Sequence, residues 1–223
     1  MVDGPVVVVR GEAFREVPPE LARFQVTATA RDKDRQATLA RLAERAEAVR
    51  TLIDSYGAAI ERRESGQLQV YPEVKRATER VVAYHGSVST TVTVTDFTVL
   101  GELMLRLADR DQTQVNGPWW ELRPGSPVYR EARRAAIGEA VERAREYADA
   151  LGSRVTALVQ LADASSDQPR PMMMVGSAQS YRAKGAMDSV PELDLDPQLQ
   201  SIQASVEARF TISEPTVLAE PRD

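Results

Sequence analysis

Between residues 22 and 31 every second side chain is apolar. Phe24, Val26, Ala28 and Ala30 alternate with Arg23, Gln25, Thr27 and Thr29, which is the pattern of a strand with one covered face. From Asp34 to Tyr56 the spacing changes to steps of three and four, through Leu39, Leu42, Ala46, Val49, Ile53 and Tyr56. That spacing predicts an amphipathic helix, and Gly57 follows as its C-terminal stop. Residues 59–71 form a weaker strand pattern ending at Tyr71-Pro72. In 80–95, Val88, Thr90, Val92 and Val94 stand opposite Ser87, Ser89, Thr91, Thr93 and Thr95, so the two segments are expected to pair as a hairpin.

Asp96 is placed to cap a short helix in which Phe97, Leu100, Met104 and Leu107 share a face, before a strand at 112–123 holding Trp119 and Trp120. Asn116-Gly117-Pro118 implies a bend or bulge within that strand. Ser126 followed by Pro127 opens a long helix with Ile137, Val141, Ala144, Ala148 and Leu151 in step, closed by Gly152. Val155, Ala157, Val159 and Leu161 give another strand, and Ile202, Ala204, Val206, Ala208, Phe210 and Ile212 form the cleanest alternation in the chain. The expected core therefore includes Phe24, Val26, Leu42, Val49, Val92, Val94, Ile137, Val141, Val206 and Phe210.

Strand, helix, strand, strand at 20–95 resembles strand, helix, strand, strand at 112–213. The predicted fold class is α+β, with duplicated βαββ-like units in one domain over 1–215 and mainly antiparallel sheet packed by two long helices. The helices are expected to cover the same face of one sheet or of two related sheets. Periodicity vanishes between about 164 and 200, an irregular loop longer than compact domains ordinarily carry, and 214–223 reads as a flexible tail.

Composition narrows the chemistry. The 223 residues carry 33 acidic and 28 basic side chains, a net charge of −5, with no cysteine and one histidine, His85. A disulfide scaffold, a thiol nucleophile, a thiolate zinc site and a multi-histidine metal site are excluded, and no cofactor is expected. Arginine and glutamate are interspersed along the helices, as in Arg41, Glu44, Arg45, Glu47 and Arg50, which argues against a nucleic-acid partner. No run approaches the ~20 apolar residues of a membrane span, and the start shows no secretory pattern, so a cytoplasmic setting is expected.

The remaining candidates each have two readings. His85 shares the polar strand face with Ser87, Ser89 and Thr91 and lies within a dozen residues of Asp96. It is either a general base or a surface histidine, and no nucleophile-elbow sequence accompanies it. Glu192, Asp194 and Asp196 offer oxygen ligands to a divalent cation, yet the glycine and distal glutamate of a calcium loop are missing. Trp119 and Trp120 point to opposite faces of a regular strand, so one joins the core and the other faces solvent, a ligand or a second subunit. Met172, Met173, Met174 and Val175 form an apolar run inside the polar loop, suited either to an adaptable contact surface or to tucking against their own domain.

Four passages resemble the SIMPL-domain family, a bacterial group of unassigned biochemical function that includes periplasmic immunogenic proteins. They are Val9-Arg10-Gly11-Glu12-Ala13; Ala83-Tyr84-His85-Gly86-Ser87 with Thr95-Asp96; Gln114-Val115-Asn116-Gly117-Pro118-Trp119-Trp120; and the helix at 126–151 ending Tyr147-Ala148-Asp149-Ala150-Leu151-Gly152. The resemblance implies an α+β fold of βαββ-like units and, as in some relatives, ring- or channel-like homo-oligomers; it implies no catalytic residues. Most relatives carry an export signal, which the start of this sequence does not show. The resulting expectation is a non-enzymatic, self-assembling scaffold whose partner is itself, with Trp119, Trp120, Met172, Met173, Met174 and Val175 as interface candidates. The alternatives are a small-molecule or peptide-binding module using the 164–200 loop, its ligand unknown, and a hydrolase centred on His85.

Overall fold

The computed structural model describes residues 4–75, 80–164 and 193–218. In these the chain forms two antiparallel sheets and three α-helices, an α+β fold. The strands are β1 (Val6–Val17), β2 (Leu21–Asp32), β3 (Ile60–Lys75), β4 (Arg80–Val94), β5 (Thr113–Glu121), β6 (Val155–Asp163) and β7 (Gln200–Ile212). The helices are α1 (Arg35–Asp54), α2 (Leu100–Ala108) and α3 (Pro127–Ala150). Two compact units result: an inserted unit built on 18–122 and joined by 193–198, and an outer unit built from 4–17, 123–164 and 199–218.

In the inserted unit the strand order is β3-β4-β2-β5. Phe24, Val26, Ala28 and Ala30 of β2 and Val92 and Val94 of β4 are buried, with Leu42, Val49, Leu52 and Ile53 of α1 and Leu100, Leu103, Met104 and Leu107 of α2 in the same core. The side chain of Asp34 accepts from Ala37 N–H at 2.8 Å and so opens α1, as the Asp96 carboxylate does for the turn leading into α2 by accepting from Thr98 N–H. Leu195, inside the stretch read as an irregular loop, packs on this core.

The outer unit has the order β1-β7-β6 under α3. Ile202, Ala204, Val206, Ala208, Phe210 and Ile212 of β7 are all buried, as their alternation predicts. Helix α3 departs from expectation. Its buried stripe is Ala132, Ala136, Ala140, Ala144 and Ala148, every fourth residue, whereas Ile137 is 37% exposed and Val141 half-buried. The cause is close approach to β1: a Cβ on Gly11 would overlap the Ala136 carbonyl and lie 2.7 Å from Ala140 Cβ. Only small side chains fit a helix seated that near a strand.

The duplication takes a different form from the halves 20–95 and 112–213. Strand β5 pairs with β2 in the first sheet, from Leu21 opposite Glu121 to Ala28 opposite Thr113, with a register shift between Arg23 and Gln25 that places the bend expected at Asn116-Gly117-Pro118. The strand that serves the second copy is β1, which pairs with β7 over twelve residues without a bulge. Both units then share one plan, with the first strand beside the last and the last beside the middle one: β2, β4 and β3 in one, β1, β7 and β6 in the other. Each long helix covers the sheet of its own unit.

The end of α3 is also tied more firmly than a frayed tail would be. Gly152 at φ +64° takes the left-handed conformation that closes the helix, and Thr216 and Val217 N–H donate to Leu151 O at 3.2 and 3.4 Å. Three outward-facing groups of edge strand β1 are occupied by side chains. Glu139 of α3 accepts from Glu12 N–H at 3.0 Å, Arg143 donates to Arg10 O at 2.8 Å, and Arg15 donates to Phe14 O at 3.0 Å.

Two substitutions separate the observed packing from the one the spacing suggests. Phe210→Ala is expected to cost about 3–5 kcal/mol in denaturant unfolding. Ile137→Ala, on the exposed side of α3, should stay within about 0.5 kcal/mol of wild type. Equal losses at the two positions would contradict the alanine seat of α3.

Candidate functional site

The face of the four-stranded sheet turned away from α1 and α2 carries the other half of each alternation. On β2 this is Arg23, Gln25, Thr27, Thr29 and Arg31; opposite them on β4 stand Thr93, Thr91, Ser89, Ser87 and His85. Strand β3 continues the rows, with Gln69 opposite Ser87 and Tyr71 opposite His85, while β5 sets Gln114 beside Thr27 and Asn116 beside Gln25. Gln25, Thr27, Gln67, Gln69, Ser87 and Ser89 line a shallow hollow of about 200 Å³.

One end of this face is an ionic cluster. His85 Nε2 lies 2.8 Å from Glu73 Oε2, the same oxygen takes Arg31 Nε–H at 2.9 Å, and Tyr71 stacks on the His85 ring with centroids 5.5 Å apart. The hydrogen bond to His85, then that to Arg31, hold the Glu73 carboxyl below the usual carboxylate range. His85 is thus bonded to a carboxylate rather than to a serine, and the Ser89 hydroxyl accepts Gln67 N–H at 3.0 Å. Asp96, the third member of the hydrolase reading, is spent on its cap, where the Thr98 hydroxyl and N–H lower its pKa. The alternation located His85 on this face. It missed Arg31, Tyr71 and Glu73 as its neighbours, because they come from two other strands, brought across by the β2–β4 register and the β3–β4 hairpin.

The other end holds Trp119, 44% exposed and in register with Arg23, which pairs with Glu121 at 2.8 Å. Trp120 turns to the opposite face, packs on the core and meets Phe97 edge-on at 5.0 Å. Of the two, Trp119 therefore remains available to a ligand or a second copy. Met172, Met173, Met174, Val175 and Glu192 lie outside the described residues. Asp194 and Asp196 are described, and among the described residues no group of carboxylates or histidines is assembled as a metal site. No described helix is long and apolar enough to cross a membrane.

Comparison with known families assigns the chain. The SIMPL family, described as a protein of unknown function (DUF541), matches residues 7–210, and the chain belongs to it. No curated protein matches the chain.

The Glu73 cluster carries a pH signature. A carboxyl whose pKa is lowered on folding adds stability above its unfolded value, about 4.3 for glutamate, and loses that contribution as pH falls through the folded value. Glu73→Gln should therefore be less stable than wild type at neutral pH, and thermal melts should show the gap closing below about pH 4. A gap that widens on acidification would contradict the pairing.

Proposed function

We propose that this member of the SIMPL family is a non-enzymatic scaffold that assembles with copies of itself, in a cytoplasmic setting. The observation that carries the reading is the far end of the β3–β4 hairpin. Strand β2 stops at Asp32, opposite Tyr84, while the hairpin runs on as a two-stranded ribbon in which Val74 pairs with Val81 and Lys75 with Arg80. On it Val74, Val81 and Val82 are 46, 47 and 38% exposed, and Leu68 further along the β3 edge is 62% exposed. A two-stranded ribbon is marginal in water without a covered face, and each valine fully buried against a partner adds about 1.5–3 kcal/mol. A second copy supplies the cover.

For the hydrolase reading, His85 is hydrogen-bonded to Glu73 and stacked on Tyr71, with the Ser89 hydroxyl engaged by Gln67 N–H; the 164–200 loop of the binding-module reading lies mostly outside the described residues.

Sedimentation tests the reading. Wild type should run at several times its 24.6 kDa chain mass at micromolar concentration, and Val74→Ser, Val81→Ser, Val82→Ser combined should shift the protein toward one chain. A companion variant with Met172, Met173 and Met174 changed to serine reports whether that stretch shares the contact. A monomeric wild type overturns assembly; an unchanged mass in the valine variant leaves assembly standing and removes the ribbon from it.

A further inference from the structure

The face of the four-stranded sheet turned away from α1 and α2 is mostly uncharged along its middle, with Glu64 at the β3 edge of one row as the exception. Its three middle rows hold Gln25, Thr27 and Thr29 with Thr91, Ser89 and Ser87, extended by Gln114 and Asn116 on β5 and by Gln67 and Gln69 on β3. Every one of these side chains both donates and accepts. The charged groups are matched in pairs: Arg31 with Glu73 and Arg23 with Glu121 at the two ends, both at 2.8 Å, and Arg62 with Glu64, which stands opposite Thr91 on the β3 side of the Gln25 row, at 3.2 Å. An anionic ligand would find these arginines already paired. An apolar partner would strand the amides and hydroxyls without partners, which is costly for each.

An aromatic ring stands at each end. Tyr71, 53% exposed, lies in the Arg31–His85 row, and Trp119 lies in the Arg23 row. In that same row Thr93 Oγ1 and Arg23 Nε are buried without a hydrogen-bond partner among the described residues. From Arg23 to Arg31 the strand spans about 27 Å at about 3.4 Å per residue, with the hollow between. The complement to such a surface is a long, uncharged molecule dense in hydroxyls, with flat C–H faces to lie on the rings. We propose that this face binds a neutral oligosaccharide, laid along β2 between Tyr71 and Trp119.

The site adjoins the hairpin surface, Leu68 lying between Gln67 and Gln69, so sugar binding and sedimentation mass are read side by side to tell this proposal from self-assembly. Calorimetric titration with cellohexaose, maltohexaose and the β-1,4-linked N-acetylglucosamine hexamer, with a galacturonate hexamer as charged control, tests it. At least one neutral hexamer should bind, with little dependence on salt. Trp119→Ala, Tyr71→Ala and the double variant Gln67→Ala, Gln69→Ala should each weaken that binding by about tenfold. All four side chains are exposed, and circular dichroism checks that each variant is folded. The proposal is overturned if no neutral hexamer binds at millimolar concentration, if the galacturonate binds more tightly, or if binding survives both aromatic substitutions. It is equally overturned if the glutamine variant lowers the sedimentation mass of sugar-free protein, since the face would then be a contact between copies.

Discussion

The ladder between β1 and β7 is the contact on which the outer unit depends. It joins Val6–Val17 to Gln200–Ile212 in unbroken antiparallel register, closing a loop that contains nearly all of the intervening chain. Loop-closure entropy grows only slowly with loop length, so a closure of this span remains affordable, but it has to be made by many contacts at once. Twelve paired residues, a β7 face of buried Ile, Val, Ala and Phe, and an α3 seated directly on Gly11 meet that requirement together. The strand that receives the helix must be smooth, which is why the β1 side supplies glycine and the α3 side alanine.

How far the sequence reveals this fold depends on whether a feature is local. Alternation exposed β2, β4 and β7 because each has one covered face, and the same alternation placed Gln25, Thr27, Ser87 and Ser89 on the polar side. It misled at α3, where side-chain size suggested Ile137 and Val141 as the inward residues although backbone proximity selects alanine. It passed over β1 altogether: four consecutive valines show no period of two, and the partner that makes them a strand is almost two hundred residues away. Strand β5 read correctly as a strand and was placed in the wrong unit, since periodicity carries no information about who pairs with whom. The Arg31–Tyr71–Glu73–His85 cluster was hidden for the same reason, being a product of register across three strands.

Edge strands show a division of labour. In β1, which has no bulge, Glu139, Arg143 and Arg15 occupy backbone groups that would otherwise accept a foreign strand. Strands β3, β5 and β6 instead carry register shifts, which twist an edge away from flat pairing. Long, regular β1 therefore needs side-chain guards, whereas the irregular edges are protected by their own geometry. What is left exposed is side-chain surface: valines on the ribbon and amides on the sheet face.

Leu21 sits opposite Glu121, and Glu20 N–H donates to Glu121 O at 2.9 Å. The segment 18–122 accordingly begins and ends as hydrogen-bonded neighbours, while 193–198, with Leu195 on the same core, is a second entry of the chain into that unit. A segment with adjoining ends can lengthen, shorten or change its surface without altering the gap that the host must bridge. The polar face and the hairpin both lie within that segment, so a change of length in their turns leaves the β1–β7 ladder and the seat of α3 as they are.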